Sequence, residues 1–498
     1  GKELTFGKTL IGSIALSREI HRRMPDEEYV GVLLPSVVGG AIVNVAITLT
    51  GRIPVNINFT SSRESVDHAI ALSDIKTIIT SRAFMDKLDG FEVRPGTIYM
   101  EDIMPCVSGT DKLIGLFKAL FARPSQLMTF KKPAADDVAT IIFSSGSTGV
   151  PKGVMLTHHN ILSNMDSFAP IFRFSSNDRV LGCLPLFHSF GFTATLWCPL
   201  TMGFYAYYHP NPMDGSKIAD IIREQKLTIL ITTPTFLLAY IRRAKREDFV
   251  SLRGVVTGAE KLKRKVADTF EERFGIRPRE GYGTTELSPV VGVSVDDGNR
   301  DGEIFHVGTK EGSIGHPIPG VAARIVDPAT MAPLDLNQEG LLLIKGPNVM
   351  LGYLKDPEKT KEVLQDGWYN TGDVGRIDED GFIFLTDRLS RFSKIAGEMV
   401  PHLGIEEKLL EALGTVNQVI AIAAVPDERK GEAIVLLYTE EAGTLDALKA
   451  AVDKADIPNL WKPRAANFFL IDAVPTLGTG KLDLKQIKTL AKQFKGVE

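Results

Sequence analysis

Through the first three quarters of the chain, short runs of apolar and β-branched residues alternate with stretches whose apolar positions recur every three to four residues. Residues 30–34, 77–79, 140–143, 179–184, 229–231 and 254–257 have the strand pattern, while 216–225 and 262–274 have the helical one. Such alternation predicts an α/β fold of parallel sheets covered by helices, with ligands at the carboxyl ends of the strands. From about Gly312 short strands and turns dominate, which predicts a β-rich subdomain. After Asp387 and Arg388 comes a compact α+β pattern: a helix over 404–413, strands near 418–425 and 433–438, and a helix over 445–454. The predicted organisation is a large domain over residues 1–388 and a small one over 389–498.

Two apolar segments bear on membranes. Residues 30–50 carry no charge over 21 positions, long enough to span a bilayer. Pro35 and Gly39-Gly40 interrupt the run, and Ser36 and Asn44 are polar, so it reads as a buried strand, a turn and a buried helix. Residues 111–128 place Leu113, Ile114, Leu116, Phe117, Leu120 and Phe121 on a helix with basic flanks that Pro124 ends. This is either a membrane-surface or acyl-entry helix or a helix packed on the domain core.

At 498 residues two or more domains are expected. The net charge of −4 supplies no basic field for nucleic acid. Cys106, Cys183 and Cys198 contain no C-x-x-C pair, so they make neither a disulfide framework nor a zinc set and suit a reducing cytosol. The nine histidines include no H-E-x-x-H motif.

The most informative stretch is FSSGSTGVPK, residues 143–152. An apolar run leads into glycines and small hydroxyl residues with one lysine. Backbone N–H groups of such a loop can turn inward around phosphate oxygens, with Ser144, Ser145, Ser147 and Thr148 adding donors and Lys152 a charge. Gly146 and Gly149 allow the close approach. It is not a Walker A loop, because Pro151 stands where the second glycine belongs and Gly153 follows the lysine. The TGAE turn (Gly258, Ala259, Glu260) and the GYGTTE turn (Gly281 to Glu286) follow apolar runs and could converge with it.

Together these motifs resemble the adenylate-forming superfamily of acyl-CoA synthetases, peptide-synthetase adenylation domains and beetle luciferases. The resemblance runs in order through SSGSTGVPKGV, LPLFHSFGF, GAEKL, EGYGTTE, WYNTGD, DRLSRFSKIAGE and PTLGTGKLD. Within that superfamily RFSKIAGEMV, GAEKL and the FHSFG run look like the acyl-ACP synthetase region of the bifunctional acylglycerophosphoethanolamine acyltransferase/acyl-ACP synthetase. There an acyltransferase region lies N-terminal, and nothing here matches it, so the resemblance implies the ligase part alone, cytoplasmic or peripheral at the inner membrane face.

The resemblance implies ATP-dependent activation of a long-chain fatty acid to acyl-AMP, then transfer to the phosphopantetheine thiol of acyl-carrier protein. Coenzyme A is the alternative acceptor, and an adenylate-binding protein without ligase activity is the alternative of a different class. It implies Lys481 as the adenylation lysine, Thr285 on the α-phosphate, and His188 as a gate between ATP and the acyl pocket. Ser144, Ser147, Thr148 and Lys152 would cradle the β- and γ-phosphates, and Tyr282 would lie against adenine. Asp373 and Arg388 would hold the ribose, and Glu286 would bind Mg²⁺ beside Thr284. The small domain would rotate about Ser390, a position where many relatives carry Asp or Lys, and the segment around Gly397 would then line a thiol channel. The basic clusters Arg242, Arg243, Lys245, Arg246 and Lys261, Lys263, Arg264, Lys265 could meet an acidic carrier or be solvated helix faces.

Overall fold

The computed structural model describes residues 3–88, 91–128, 130–145, 150–300, 303–395, 398–427, 431–476 and 482–496. The β-branched runs of the first half fall into two sheets. The first is four-stranded and all parallel, in the order Ile53–Asn56, Tyr29–Val32, Ile78–Thr80, Thr97–Tyr99. The second has seven strands. Its centre, Arg279–Gly283, Gly254–Thr257, Ile229–Thr232, Arg179–Gly182 and Tyr205–Tyr208, is parallel, and Val290–Val293 and His316–Pro317 extend one side antiparallel. The central strand Ile229–Thr232 is buried at every position, as a strand covered on both faces must be.

Residues 30–50 divide as their prolines and glycines require. The strand Tyr29–Val32 is followed by the helix Val38–Leu49. No helix among the described residues is long and apolar enough to cross a membrane.

One strand departs from the expected topology. Val138–Ser145 lies outside both parallel sheets and pairs antiparallel with Pro151–Thr157, which in turn pairs with Gly352–Tyr353. Only five residues separate the first two strands. A parallel crossover needs a dozen or more, so the chain can only return as a hairpin. The described ends of the phosphate-loop motif therefore lie on two antiparallel strands, in which Ser144 and Lys152 are cross-strand partners.

The change of texture after Gly312 corresponds to a five-stranded antiparallel sheet, Ala322–Val326, Gly340–Lys345, Trp368–Ile377 and Leu364–Gln365, with Ile383–Arg388 on the free side of Trp368–Ile377. Beyond it, Phe392–Ile395, Glu398–Pro401, Ile420–Asp427, Gly431–Tyr438 and Phe468–Leu470 form a further sheet with the helices His402–Ala412, Leu445–Lys454 and Leu484–Lys495. Two buried clusters here, one around Leu409 and Leu436 and one around Val435 and Ile487, draw only on residues after 394. This part thus packs its own interior, as an independent domain does.

Candidate active site

A cleft of about 1400 Å³ lies where the carboxyl ends of the parallel strands, the antiparallel sheet and the C-terminal part meet. Arg279–Gly283 delivers the GYGTTE turn to it. Gly283 packs its backbone so tightly on Pro289 that a Cβ there would fall within the carbonyl oxygen. Thr284 N–H donates to that same carbonyl at 3.1 Å, and a short 3₁₀ turn over Thr285–Leu287 follows. The turn presents three polar side chains in succession. Thr284 Oγ1 is buried with no hydrogen-bond partner among the described residues. Ser189 Oγ donates to Thr285 Oγ1 at 3.4 Å. Tyr353 Oη donates to Glu286 Oε1 at 3.0 Å.

Lys152, on the return strand of the hairpin, stands with its ammonium 5.1 Å from the centroid of the Tyr353 ring. Burial lowers its pKa; Lys359 acts in the same direction, and Glu286 opposes it. Lys152, Tyr353 and Glu286 thus form one cluster, with Tyr369 against Tyr353. Neither tyrosine was legible as a site residue: both lie in strand-like text, and only the folded sheets bring them to Glu286.

In the same cleft the cross-strand pair Asp373 and Arg388 is joined by a 3.1 Å ion pair. Asp373 is buried, while half of the Arg388 side chain reaches solvent. The Asp373 carboxylate raises the pKa of Arg388 and accepts a hydrogen bond from Tyr282 Oη. Tyr282, Asp373 and Arg388 are therefore one connected unit.

The TGAE turn runs beside Gly281: a Cβ on Gly258 would sit 3.4 Å from the Gly281 carbonyl and 3.2 Å from the Phe190 ring. Ala259 has φ of +71°, a left-handed conformation that costs a non-glycine residue. Glu260 accepts from Thr235 Oγ1 at 2.6 Å. His188 lines the cleft, tilted against Phe187 with centroids 4.8 Å apart.

Ser144 lines the cleft, and Ser145 ends its strand. Gly146, Ser147, Thr148, Gly149, Gly397 and Lys481 lie outside the described residues. The described residues on either side of 477–481 reach the cleft. Thr476 and Leu482 form a β-bridge, Asp483 N–H donates to Pro475 O at 2.9 Å, and Thr476, Leu482 and Asp483 line the same cavity. Ser390 is an exposed cleft residue in the 3₁₀ turn Leu389–Arg391. Beside it burial pushes Asp387 up to about 6, and Arg391 donates to Glu406 at 2.7 Å.

The basic clusters are only partly solvated. Lys261 Nζ pairs with Glu407 at 3.0 Å, and Lys263 Nζ donates to Val416 O and Gln418 Oε1, each at 3.2 Å. Lys265 Nζ donates to Gly414 O at 3.1 Å and Arg242 to Asn417 Oδ1 at 2.8 Å. These four cations therefore fasten the C-terminal part in this arrangement, a use that sequence reading did not consider.

Glu280, just before the glycines, adds a titratable group. Burial pushes its carboxyl up to about 7, against the Leu262 N–H that it accepts. The native state then holds a proton that the unfolded chain has released between about pH 4.5 and 7, so stability falls as pH rises through that window. Glu280→Gln keeps the acceptor without the charge. It should flatten the loss and leave the variant more stable than wild type at pH 8 by on the order of 1 kcal/mol; melting curves from pH 4.5 to 8 check this.

Comparison with known proteins gives one consistent set. The family described as AMP-binding enzyme matches residues 18–354. The 4-coumarate–CoA ligase 1 of Petroselinum crispum is 30% identical over 443 residues, covering 86% of this chain and 78% of that protein. The 4-coumarate-CoA ligase 1 of Narcissus pseudonarcissus is 27% identical over 98% of this chain and 88% of its own. Among solved structures, ATP-bound MatB from Rhodopseudomonas palustris superposes with a TM-score of 0.83 at 22% identity, over 99% of this chain and 94% of that one. Bacillus subtilis MenE with its acyl-adenylate OSB-AMP also gives 0.83 at 22% identity, over 98% and 93%. At these identities the structures establish the shared fold.

Proposed function

Because the chain belongs to the AMP-binding enzyme family, we propose that its cleft joins a fatty acid to AMP and then passes the acyl group to a phosphopantetheine thiol. The coarse activity is that of an AMP-forming acid–thiol ligase using ATP. A carboxylate is a poor acyl donor because oxide leaves badly. One carboxylate oxygen attacks the α-phosphorus of ATP, and the bond to pyrophosphate breaks. A thiol then loses its proton to solvent as its sulfur attacks the acyl carbon, and AMP departs with the bonding electrons.

The first step brings an anion to a polyanion, so it needs fixed donors and positive charge. Ser144, Ser145, residues 146–149 and Lys152 would receive the β- and γ-phosphates, and Thr285 the α-phosphate. Thr284 Oγ1, buried without a partner among the described residues, supports a polar ligand at this turn. Tyr282, flanked by Gly258, Ala259 and Glu260, would stack on adenine, and Asp373 with Arg388 would take the ribose hydroxyls. The residues present fit Mg²⁺: Glu286 supplies the single carboxylate that, with phosphates and water, such an ion accepts, and the ion would neutralise phosphate charge. Lys481 would meet the carboxylate and α-phosphate, and His188 would gate the acyl pocket. We place the domain boundary at 388/389, with Ser390 as the pivot about which residues 389–498 turn between the two steps.

The convergence of the GYGTTE turn, Lys152 and the Tyr282–Asp373–Arg388 unit on one cleft is the observation that carries this reading. ATP–pyrophosphate exchange tests it. Exchange should appear only with a fatty acid, and no exchange with any lipid acid overturns the ligase reading in favour of a mere adenylate binder. Holo acyl-carrier protein is the proposed acceptor, on the branch resemblance. The names of the 4-coumarate–CoA ligases favour coenzyme A as the second reading. Offering the two thiols side by side to the preformed acyl-adenylate decides between them.

A further inference from the structure

The helix Gly109–Phe121 is built inside out. Leu113, Leu116, Phe117, Leu120 and Phe121 follow one another at helical spacings of three, four, seven and eight residues and so share one face. A helix of a globular protein turns such a stripe to the core. Here these five side chains are 42% to 70% exposed, while the buried positions are Gly115 and Asp111.

The orientation is locked. A Cβ on Gly115 would lie 2.8 Å from Ile11 O, so the helix lies tight on Phe6–Arg23. Asp111 is held from the same side by Arg18 at 2.8 Å and Arg22 at 2.7 Å, and it closes a capping box with Ser108. Turning the stripe inward would break that buried network. The two helices run antiparallel, since Ile11 meets Gly115 while Arg18 and Arg22 meet Asp111. The exposed Leu4 and Phe6 at the start of one therefore fall near the Phe121 end of the other, enlarging the patch.

The charges that the helix places beside the stripe are basic: Lys112, Lys118 and, just past its end, Arg123. Asp111 is matched by its two arginines and Asp102 by Arg82 at 2.6 Å, while the exposed Glu3 precedes Leu4. At 13 residues the helix is about 20 Å long, too short for a hydrocarbon core of about 30 Å. A locked apolar stripe flanked by cations is the signature of a helix that lies in a lipid interface.

We propose that Gly109–Phe121 seats the protein on an anionic bilayer surface, with Leu113, Phe117, Leu120 and Phe121 entering the acyl boundary and the flanking lysines and Arg123 meeting lipid phosphates. The full chain should float with phosphatidylcholine vesicles containing phosphatidylglycerol and much less with phosphatidylcholine alone, and salt should weaken the binding. Phe117→Ser/Phe121→Ser should lower the partition coefficient by more than about tenfold. Lys112→Glu/Arg123→Glu should abolish the preference for the anionic vesicles. Unchanged melting temperatures show that both variants fold. The proposal is overturned if wild type stays in the supernatant with anionic vesicles, if the serine variant binds equally, or if the stripe serves instead to pair two copies, seen as a dimer in sedimentation velocity that the serine variant dissolves. Flotation needs no substrate, so its failure would leave the ligase reading standing, and failed pyrophosphate exchange would leave this one.

Discussion

Lys481→Ala is expected to slow acyl-adenylate formation by about 10²–10³-fold, the usual effect of removing one preorganised donor from a developing charge. Substrate binding should change little, because in the proposed step the charge that Lys481 would meet grows only as the carboxylate oxygen and the α-phosphorus approach. Transfer from presupplied acyl-adenylate to a thiol should fall far less, since that step forms no bond to phosphorus. Single-turnover measurement of the two half-reactions separates these outcomes. Equal losses in both would remove Lys481 from the chemistry and leave it a structural residue. Lys481→Arg is a useful companion, because it keeps the charge but replaces a compact ammonium by a planar fork.

Gly283→Ala should be nearly as damaging for a different reason. The strand Arg279–Gly283 slips register against Val290–Val293 between Tyr282 and Gly283. That irregularity presses the Gly283 α-carbon onto the Pro289 carbonyl. A methyl group cannot be housed, so the backbone must move, at a cost of about 1–3 kcal/mol in stability. Tyr282 on one side and Thr284 to Glu286 on the other would shift with it. Misplacement of about 1 Å is enough to cost roughly 10²-fold in rate, so turnover should collapse while a folded protein persists. A circular dichroism melt alongside the exchange assay distinguishes this from simple unfolding, and retained activity would show that Gly283 does not set the geometry of the turn.

Period and punctuation located the secondary structure well. The strand Gly254–Thr257 and the helix Leu445–Lys454 occupy the residues that the apolar pattern assigns them. The pairing of elements was less accessible. The 140–143 run has the composition of a parallel strand, and only the brevity of its connection to the next run betrays a hairpin. Motif order pointed to Tyr282, Glu286, Asp373 and Arg388, which the fold brings to one cleft, while Gly146 to Gly149 and Lys481 lie outside the described residues. Tyr353 and Tyr369 stayed hidden, since a tyrosine in a strand carries no mark of which polar group its hydroxyl will reach. The stripe on Gly109–Phe121 shows the limit most clearly. Helical spacing reveals that Leu113, Leu116, Phe117 and Leu120 share a face, but not that the face looks outward. That depends on Gly115 and Asp111, whose partners are some ninety residues away in sequence.

The fastening of the C-terminal part has a consequence for how the two halves separate. Of the four cations, Lys261 meets a carboxylate, while Lys263, Lys265 and Arg242 end on peptide carbonyls and amide side chains. Mobile ions shield charge against charge but scarcely touch a cation resting on a fixed dipole. In the proposed turn of residues 389–498 about Ser390, water would have to replace those three neutral acceptors, so hydration would weigh on its pace beside the ionic strength that acts on Lys261 and Glu407.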